Sequence, residues 1–266
     1  MRFLEYITEE KNTHMTHIED KVLYGGVNGT RQAILALRSL RDMLGGIHEG
    51  GSTSVKWDGA PAIFAGIDPR DRKFFVAKKG IFNKSPKVYK TNADIDQDTS
   101  GDLSKKLKLA LKHLPDLGIR GVIQGDFLYG PGDLKKQKIK GKDYITFHPN
   151  TIVYAIPADS AKVKDILKSK IGIVWHTTYT GKNFEDMKAS YGVNVQGLNK
   201  SSAVWSQDAM LRDLTRFTMT KKETQAVNQY LSTAGKIFNK ISSTTLKELE
   251  KNRSLAQTIE TFNNTY

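Results

Sequence analysis

The sequence predicts an α+β protein, a mainly antiparallel sheet with flanking helices followed by a small helical domain. Three observations support this. Short runs rich in Val, Ile, Phe and Tyr follow one another through the middle of the chain, separated by tight turns, which favours antiparallel pairing over a doubly wound parallel sheet. Both ends carry apolar residues at helical spacing instead. The chain has 266 residues, enough for one large domain or a medium one with a small companion.

In order, residues from about 1 to 45 read as largely helical. Ile34, Leu37, Leu40 and Leu44 recur on one face, and Gly45-Gly46 ends the run. Gly50-Gly51-Ser52 opens the strand-rich section, with strands over 52–57, 61–67 and 73–78. Asp58-Gly59 joins the first two and Asp68-Pro69-Arg70-Asp71 the next two. A basic amphipathic helix comes next over 103–114, with Leu103, Leu107, Leu111 and Leu114 on one face. Strands are predicted over 121–129, 143–147, 151–156 and 171–179, and a helix over 160–169. The Gly-, Asn- and Ser-rich stretch 181–202 reads as a linker. Helices are predicted over 208–217, 221–241 and 245–262. The expected division is therefore a helical segment 1–45 packing on the core, a main domain 46–185 and a helical domain 200–266.

Lys plus Arg number 41 against 28 Asp plus Glu, a formal charge of +13, with the basic residues spread from Arg70 to Lys170. A folded surface of that sign attracts polyanions, and nucleic acid is the expected partner. There is no cysteine, which excludes disulfides, thiolate metal sites and cysteine catalysis and fits a reducing compartment. No run has the length of a membrane span, and the N-terminus lacks the apolar core of a signal peptide. A cytoplasmic monomer is expected.

Lys56-Trp57-Asp58-Gly59 is the stretch richest in chemistry. A lysine on a strand beside a turn Asp-Gly is placed to act as a covalent nucleophile once it loses its proton, which burial or nearby cations assist. Lys78 and Lys79, one hairpin further on, could supply that charge and neutralise phosphate oxygens. Asp126, on the apolar strand Gly121–Tyr129, suits Mg²⁺ held with few protein ligands.

These residues resemble the motifs of the covalent nucleotidyltransferase superfamily: ATP-dependent DNA ligases, RNA ligases and mRNA capping enzymes. Lys56-Trp57-Asp58-Gly59 matches Lys-x-Asp-Gly, whose lysine takes AMP or GMP from the triphosphate. Ala77-Lys78-Lys79-Gly80 resembles the Ser-Arg-x-Gly segment, and Gln124-Gly125-Asp126-Phe127 the Gly-Glu motif. Thr151–Ile156 resembles the aromatic strand, which gives Tyr154 the purine-packing role. Ile171-Gly172-Ile173-Val174 resembles Glu-Gly-x-Val. The order and spacing agree over about residues 50–180. The resemblance implies an adenylation-type core, ATP and Mg²⁺ as cofactors, Lys56 as nucleophile, and Val55, Asp58, Gly59, Lys78, Lys79, Asp126, Tyr154 and Val174 as nucleotide-binding residues, with Asp126 also on the metal. The chain is also similar to proteins of large tailed phages of marine cyanobacteria, through Thr8–Asp20 and Asn150–Tyr154, which would place it in an infected host cell.

The resemblance implies an ATP-dependent polynucleotide ligase of DNA repair or replication, sealing nicks in duplex DNA through a lysyl-AMP intermediate. Two alternatives stay open. One is an RNA ligase, favoured by the likeness of Gly125–Gly130 to the Gly-Glu motif and by a helical rather than β-barrel C-terminal region. The other is a non-catalytic nucleic-acid-binding or virion protein on a degenerate transferase fold. A small-molecule nucleotidyltransferase is a weaker third, since the surface is so basic. Departures from the pattern are Ala60 and Pro61 where DNA ligases commonly carry an arginine, Ile171 in place of the metal-binding glutamate, and no evident Lys-x-Lys motif (Lys182, Lys188 and Lys200 are candidates).

Other patterns carry less. Gly45–Ser52 echoes a phosphate loop but lacks its lysine and precedes a strand. His14 and His17, with Glu19 and Asp20, read as a surface helix face rather than a metal site. His176 could line the nucleotide cleft or be a partly buried structural histidine. The C-terminal helices read as a packed bundle, compatible with a clamp on a nucleic-acid backbone.

Overall fold

The computed structural model describes residues 17–47, 53–214 and 217–265. His14, most of Thr8–Asp20 and residues 48–52 of the phosphate-loop echo lie outside them. The chain divides into two compact units, Thr16–Ser54 with Asp213–Tyr266, and Val55–Arg212. This differs from the expected division at 45 and 185–200, because strands continue to residue 213.

The second unit is α+β. Its elements run β1 (Ser54–Lys56), β2 (Ala62–Ile67), β3 (Phe74–Ala77), α3 (Asn92–Asp98), α4 (Gly101–His113), β4 (Val122–Tyr129), β5 (Lys135–Ile139), β6 (Lys142–Phe147), β7 (Tyr154–Pro157), α5 (Ala161–Lys168), β8 (Ile171–Thr180), β9 (Lys188–Tyr191), β10 (Val204–Asp208) and β11 (Met210–Asp213). Six strands form the main sheet in the order β10-β8-β4-β2-β3, with β9 also on β8; β5-β6-β7 form a second sheet, and β1 pairs with β11. Every pair of the main sheet is antiparallel except β10 with β8.

Alternation along the strands gives the main sheet two apolar faces. Ile63, Ala65, Phe127, Ile173 and Trp175 point to one, where Leu107, Ala110 and Leu114 of the α4 region cover them. On the other, Leu128, Tyr129 and Val174 pack with Ile145 and Phe147 of the second sheet and Val163 and Ile166 of α5. Phe64, Phe75 and Tyr179 build a third cluster with Phe184 and Met187.

Several elements depart from the prediction. β5 was not expected: Lys135–Ile139 is exposed throughout, so it carries no apolar alternation. β9, β10 and two short 3-10 turns occupy the predicted linker and the residues just after it, and β11 lies where a helix was predicted. In that four-residue strand Met210 and Leu211 fit either period. The predicted helix 245–262 is two, split at Asn252, whose side chain accepts from Leu255 N–H at 3.1 Å and caps the second.

The turn between β2 and β3 is built on Asp68. Its buried carboxylate accepts from Arg70 Nε at 3.0 Å and Nη2 at 2.8 Å, and lies 2.7 Å from Lys90 Nζ. Burial disfavours the charge, but the bonds from Arg70 and Lys90 outweigh it and hold the carboxyl well below the usual range. Asp68→Asn is expected to cost about 2 kcal/mol at neutral pH, or about 5 °C in Tm. Because the folded pKa is depressed, this contribution is complete above about pH 4 and is lost as pH falls further. Thermal unfolding of both proteins at neutral and acid pH checks this: a gap that stays constant into acid would contradict the assignment.

The first unit is helical: α1 (Asp20–Tyr24), α2 (Gly26–Leu44), α6 (Lys221–Lys240), α7 (Ser243–Lys251) and α8 (Arg253–Thr265). α1 and α2 contact α6, α7 and α8, so the two ends of the chain fold together. Thr220 caps α6 in a capping box with Glu223. Tyr24 donates to Glu260, and that bond together with burial pushes the Tyr24 phenol up to about 12.

Candidate active site

The site is built where β1 ends. Trp57 N–H donates to Ala209 C=O at 2.6 Å. The Trp57 ring is buried among Tyr154, Trp205 and Phe147, at centroid distances of 4.6, 5.9 and 6.5 Å. With Trp57 turned inward, strand alternation turns Lys56 out; its side chain is 44% exposed.

Lys56 Nζ donates to Asp126 Oδ2 at 3.1 Å and lies 3.8 Å from Asp58 Oδ1. Asp126 is 8% exposed and sits on β4, in register with Ala62 of β2 and Val174 of β8. Its other oxygen, Oδ1, is 3.5 Å from His176 Nε2, and His176 Nδ1 is 2.7 Å from Thr177 Oγ1. One carboxylate thus faces the lysine and a histidine through separate oxygens.

The turn that presents Lys56 is held from the second sheet. Tyr154 OH accepts from Asp58 N–H at 2.7 Å and donates to Asp58 C=O at 2.9 Å. Burial pushes the phenol up, partly opposed by the Asp58 N–H bond, so it remains protonated and able to donate. Asn150 Nδ2 donates to Asp58 Oδ2 at 2.7 Å. Gly59 is required sterically: a Cβ there would lie 2.5 Å from Phe127 C=O and 3.1 Å from Asp126 Cβ. Tyr154→Phe removes both bonds to Asp58 and is expected to cost about 1.5 kcal/mol, roughly 5 °C in Tm. An unchanged melting curve would show that the turn does not depend on the hydroxyl.

Of the residues singled out from sequence, Lys56, Asp58, Gly59, Asp126 and Tyr154 come together. The Tyr154 ring lies against Trp57 and Phe147. Val55 is on β1 with its side chain exposed. Val174 is fully buried behind Asp126 and offers a ligand no side-chain surface. Its side chain packs in the cluster around Trp57. Lys78 and Lys79 follow β3, at the Asp126 end of the sheet and two strand spacings, roughly 10 Å, from β4. Lys78 is held by Asp98 at 3.1 Å; Lys79 is exposed. Ile171 is fully buried in the core.

Sequence reasoning missed Asn150 as a partner of Asp58, and Lys106, whose Nζ donates to Ala60 C=O at 3.3 Å from α4. Neither has a local signal, since each acts on a residue more than 40 positions away. Among the described residues no group of three or more His, Asp and Glu could hold a metal. Mg²⁺ needs only one or two carboxylates beside phosphates and water, and Asp126 and Asp58 are the hard oxygen donors at Lys56. Among the described residues no helix is long and apolar enough to cross a membrane.

The fold and site define an α+β protein whose β1 lysine is held between two carboxylates. A family model matches residues 12–266, and the chain belongs to that family, DUF6267, a family of unknown function. No curated protein and no solved structure matches the chain.

Proposed function

We propose that the protein is an ATP-dependent polynucleotide ligase acting on nicked duplex DNA through a lysyl-AMP intermediate. The observation that carries this reading is the placement of Lys56 Nζ, 3.1 Å from Asp126 and 3.8 Å from Asp58. An Asp-Gly turn is locked beneath it by Tyr154. In the first step Asp126 is the nearest acceptor for the lysine's proton. The Nζ lone pair attacks the α-phosphorus of ATP. As the N–P bond forms, the bond from that phosphorus to the bridging oxygen breaks, and pyrophosphate leaves with the electron pair. AMP then passes to a 5′-phosphate, and a 3′-hydroxyl displaces it, sealing the strand. Mg²⁺, when bound, offsets phosphate charge, and Asp126 with Asp58 would hold it. The antiparallel sheet around the site and the formal charge of +13 agree with an adenylation-type core acting on a polyanion.

Incubation with ATP labelled at the α-phosphate tests the first step. Covalent, acid-labile label on Lys56 is expected, with release of pyrophosphate; a protein that takes up no label is not this enzyme. Nicked DNA and broken RNA, offered in parallel to the labelled protein, decide the substrate. One observation favours a second reading, a nucleic-acid-binding protein that forms no adenylate: Ile171, at the place of the superfamily's metal-binding glutamate, is fully buried in the core. It predicts DNA binding without label.

A further inference from the structure

The strongest charged feature outside the site is the β5–β6 hairpin. Lys135, Lys136, Lys138, Lys140 and Lys142 stand within eight residues, separated only by Gln137, Ile139 and Gly141, and all five are exposed. None of them makes an ion pair with a described residue. Some lysines of the same unit are paired, such as Lys78 and Lys87 with Asp98 and Lys90 with Asp68 and Asp71; others, such as Lys73, Lys79 and Lys162, make no ion pair with a described residue either, so it is density that sets the hairpin apart. The hairpin's one acid, Asp143, registers across from Lys138 but makes no ion pair with a described residue, so the hairpin keeps a net positive charge.

Its turn points the same way. Lys140 and Gly141 have φ of 49° and 80°, the two-residue loop with both central residues left-handed. Asn, Asp or Gly suits the first of these positions and lysine does not. A cation therefore stands at the tip against local preference. Protection of an open edge accounts for a lysine or two on β5. It does not account for Lys140 at the tip or Lys142 on β6, the central strand of its sheet.

The hairpin is joined to the surroundings of the site by β6. β6 runs from Lys142 to Phe147, which registers with Tyr154, the residue that holds the Asp58 turn. At about 3.4 Å per residue that is roughly 17 Å. Each strand of a duplex carries one phosphate per ~3.4 Å of axis, so the span corresponds to about five base-pair steps.

We propose that the Lys135–Lys142 hairpin grips the phosphate backbone of duplex DNA, about five steps from an end or nick held at Lys56. The position of the nick rests on the ligase reading; the grip does not. Strand alternation puts Lys136 and Lys138 on one face and Lys135 and Lys142 on the other, with Lys140 at the tip; one face and the tip contact phosphates, as point charges on flexible stems that read no bases, so binding is independent of sequence.

The test measures binding of a fluorescent nicked DNA duplex by anisotropy across a series of salt concentrations. Two variants of the full chain are compared with wild type. One replaces all five lysines by glutamine. The other is Lys140→Asn, which suits the turn and is expected to fold at least as well as wild type. The fivefold variant is expected to flatten the slope of log affinity against log salt by about 2 to 3, and Lys140→Asn by about 0.9. Wild-type slopes in both variants overturn the proposal. So does a fivefold variant that aggregates while Lys140→Asn binds like wild type, because that outcome leaves only edge protection. A change confined to an RNA duplex of the same sequence overturns the assignment to DNA. Labelling from ATP without nucleic acid separates the two readings. If wild type takes no label but its DNA binding depends on the hairpin, the ligase reading falls and the grip stands. Normal labelling with hairpin-independent binding removes the grip alone.

Discussion

Lys56→Arg is expected to reduce covalent labelling from α-labelled ATP to background, with the protein still folded. Arginine keeps the positive charge toward Asp126 and Asp58, but its guanidinium does not release a proton in proteins and cannot supply the attacking lone pair. Losing the nucleophile of a covalent mechanism costs on the order of 10⁴-fold or more, so residual label at even a few per cent would place the reactive group elsewhere. The structural consequence is small. Lys56 is 44% exposed and Asp126 only 8%, but arginine keeps a positive charge facing that carboxylate, so Tm should stay within about 4 °C. The contrast between intact fold and absent label distinguishes chemistry from stability.

Gly125→Ala is expected to destabilise the protein by at least about 3 kcal/mol, roughly 10 °C in Tm. Gly125 lies in the middle of β4, where β8 presses against it. A Cβ there would sit 2.2 Å from Val174 C=O and 2.7 Å from the Trp175 ring. The first is backbone in the adjoining strand and the second is fully buried, so neither has room to retreat. The strand must shift, and Asp126 shifts with it, so labelling should fall as well. Gly121→Ala is the matched control, because a Cβ at that position meets nothing within 4 Å. Thermal melts of the two variants decide it: equal small effects would mean that the contact between β4 and β8 yields easily.

The two expectations have different relations to the sequence. Lys56 stands out there because a lysine, an aromatic residue and Asp-Gly follow one another in a local pattern that chemistry makes recognisable. Gly125 stands in the segment that resembles the Gly-Glu motif, but only the approach of β8 shows why it carries no side chain. The central strands were legible for a similar local reason. The apolar runs at 62–67, 122–129 and 171–180 follow from burial on two faces, and burial leaves apolar residues behind. β5 left no such trace, since none of its residues is buried, and the cut at Asn252 between α7 and α8 rests on one cap rather than on a change of period.

By itself the sequence determined the α+β class, the strand-turn that carries Lys56 and the basic excess, because each is a property of neighbouring residues or of composition. Only the tertiary structure decided that Asp126, 70 positions away, puts one oxygen on Lys56 and the other toward His176. It also decided that Tyr154 and Asn150 brace Asp58, that Val174 belongs to the core, and that helices from the two ends of the chain pack together. Those are distances between residues far apart in the chain. They depend on strand register and on which face each side chain takes, and a one-residue slip in register would reverse every face.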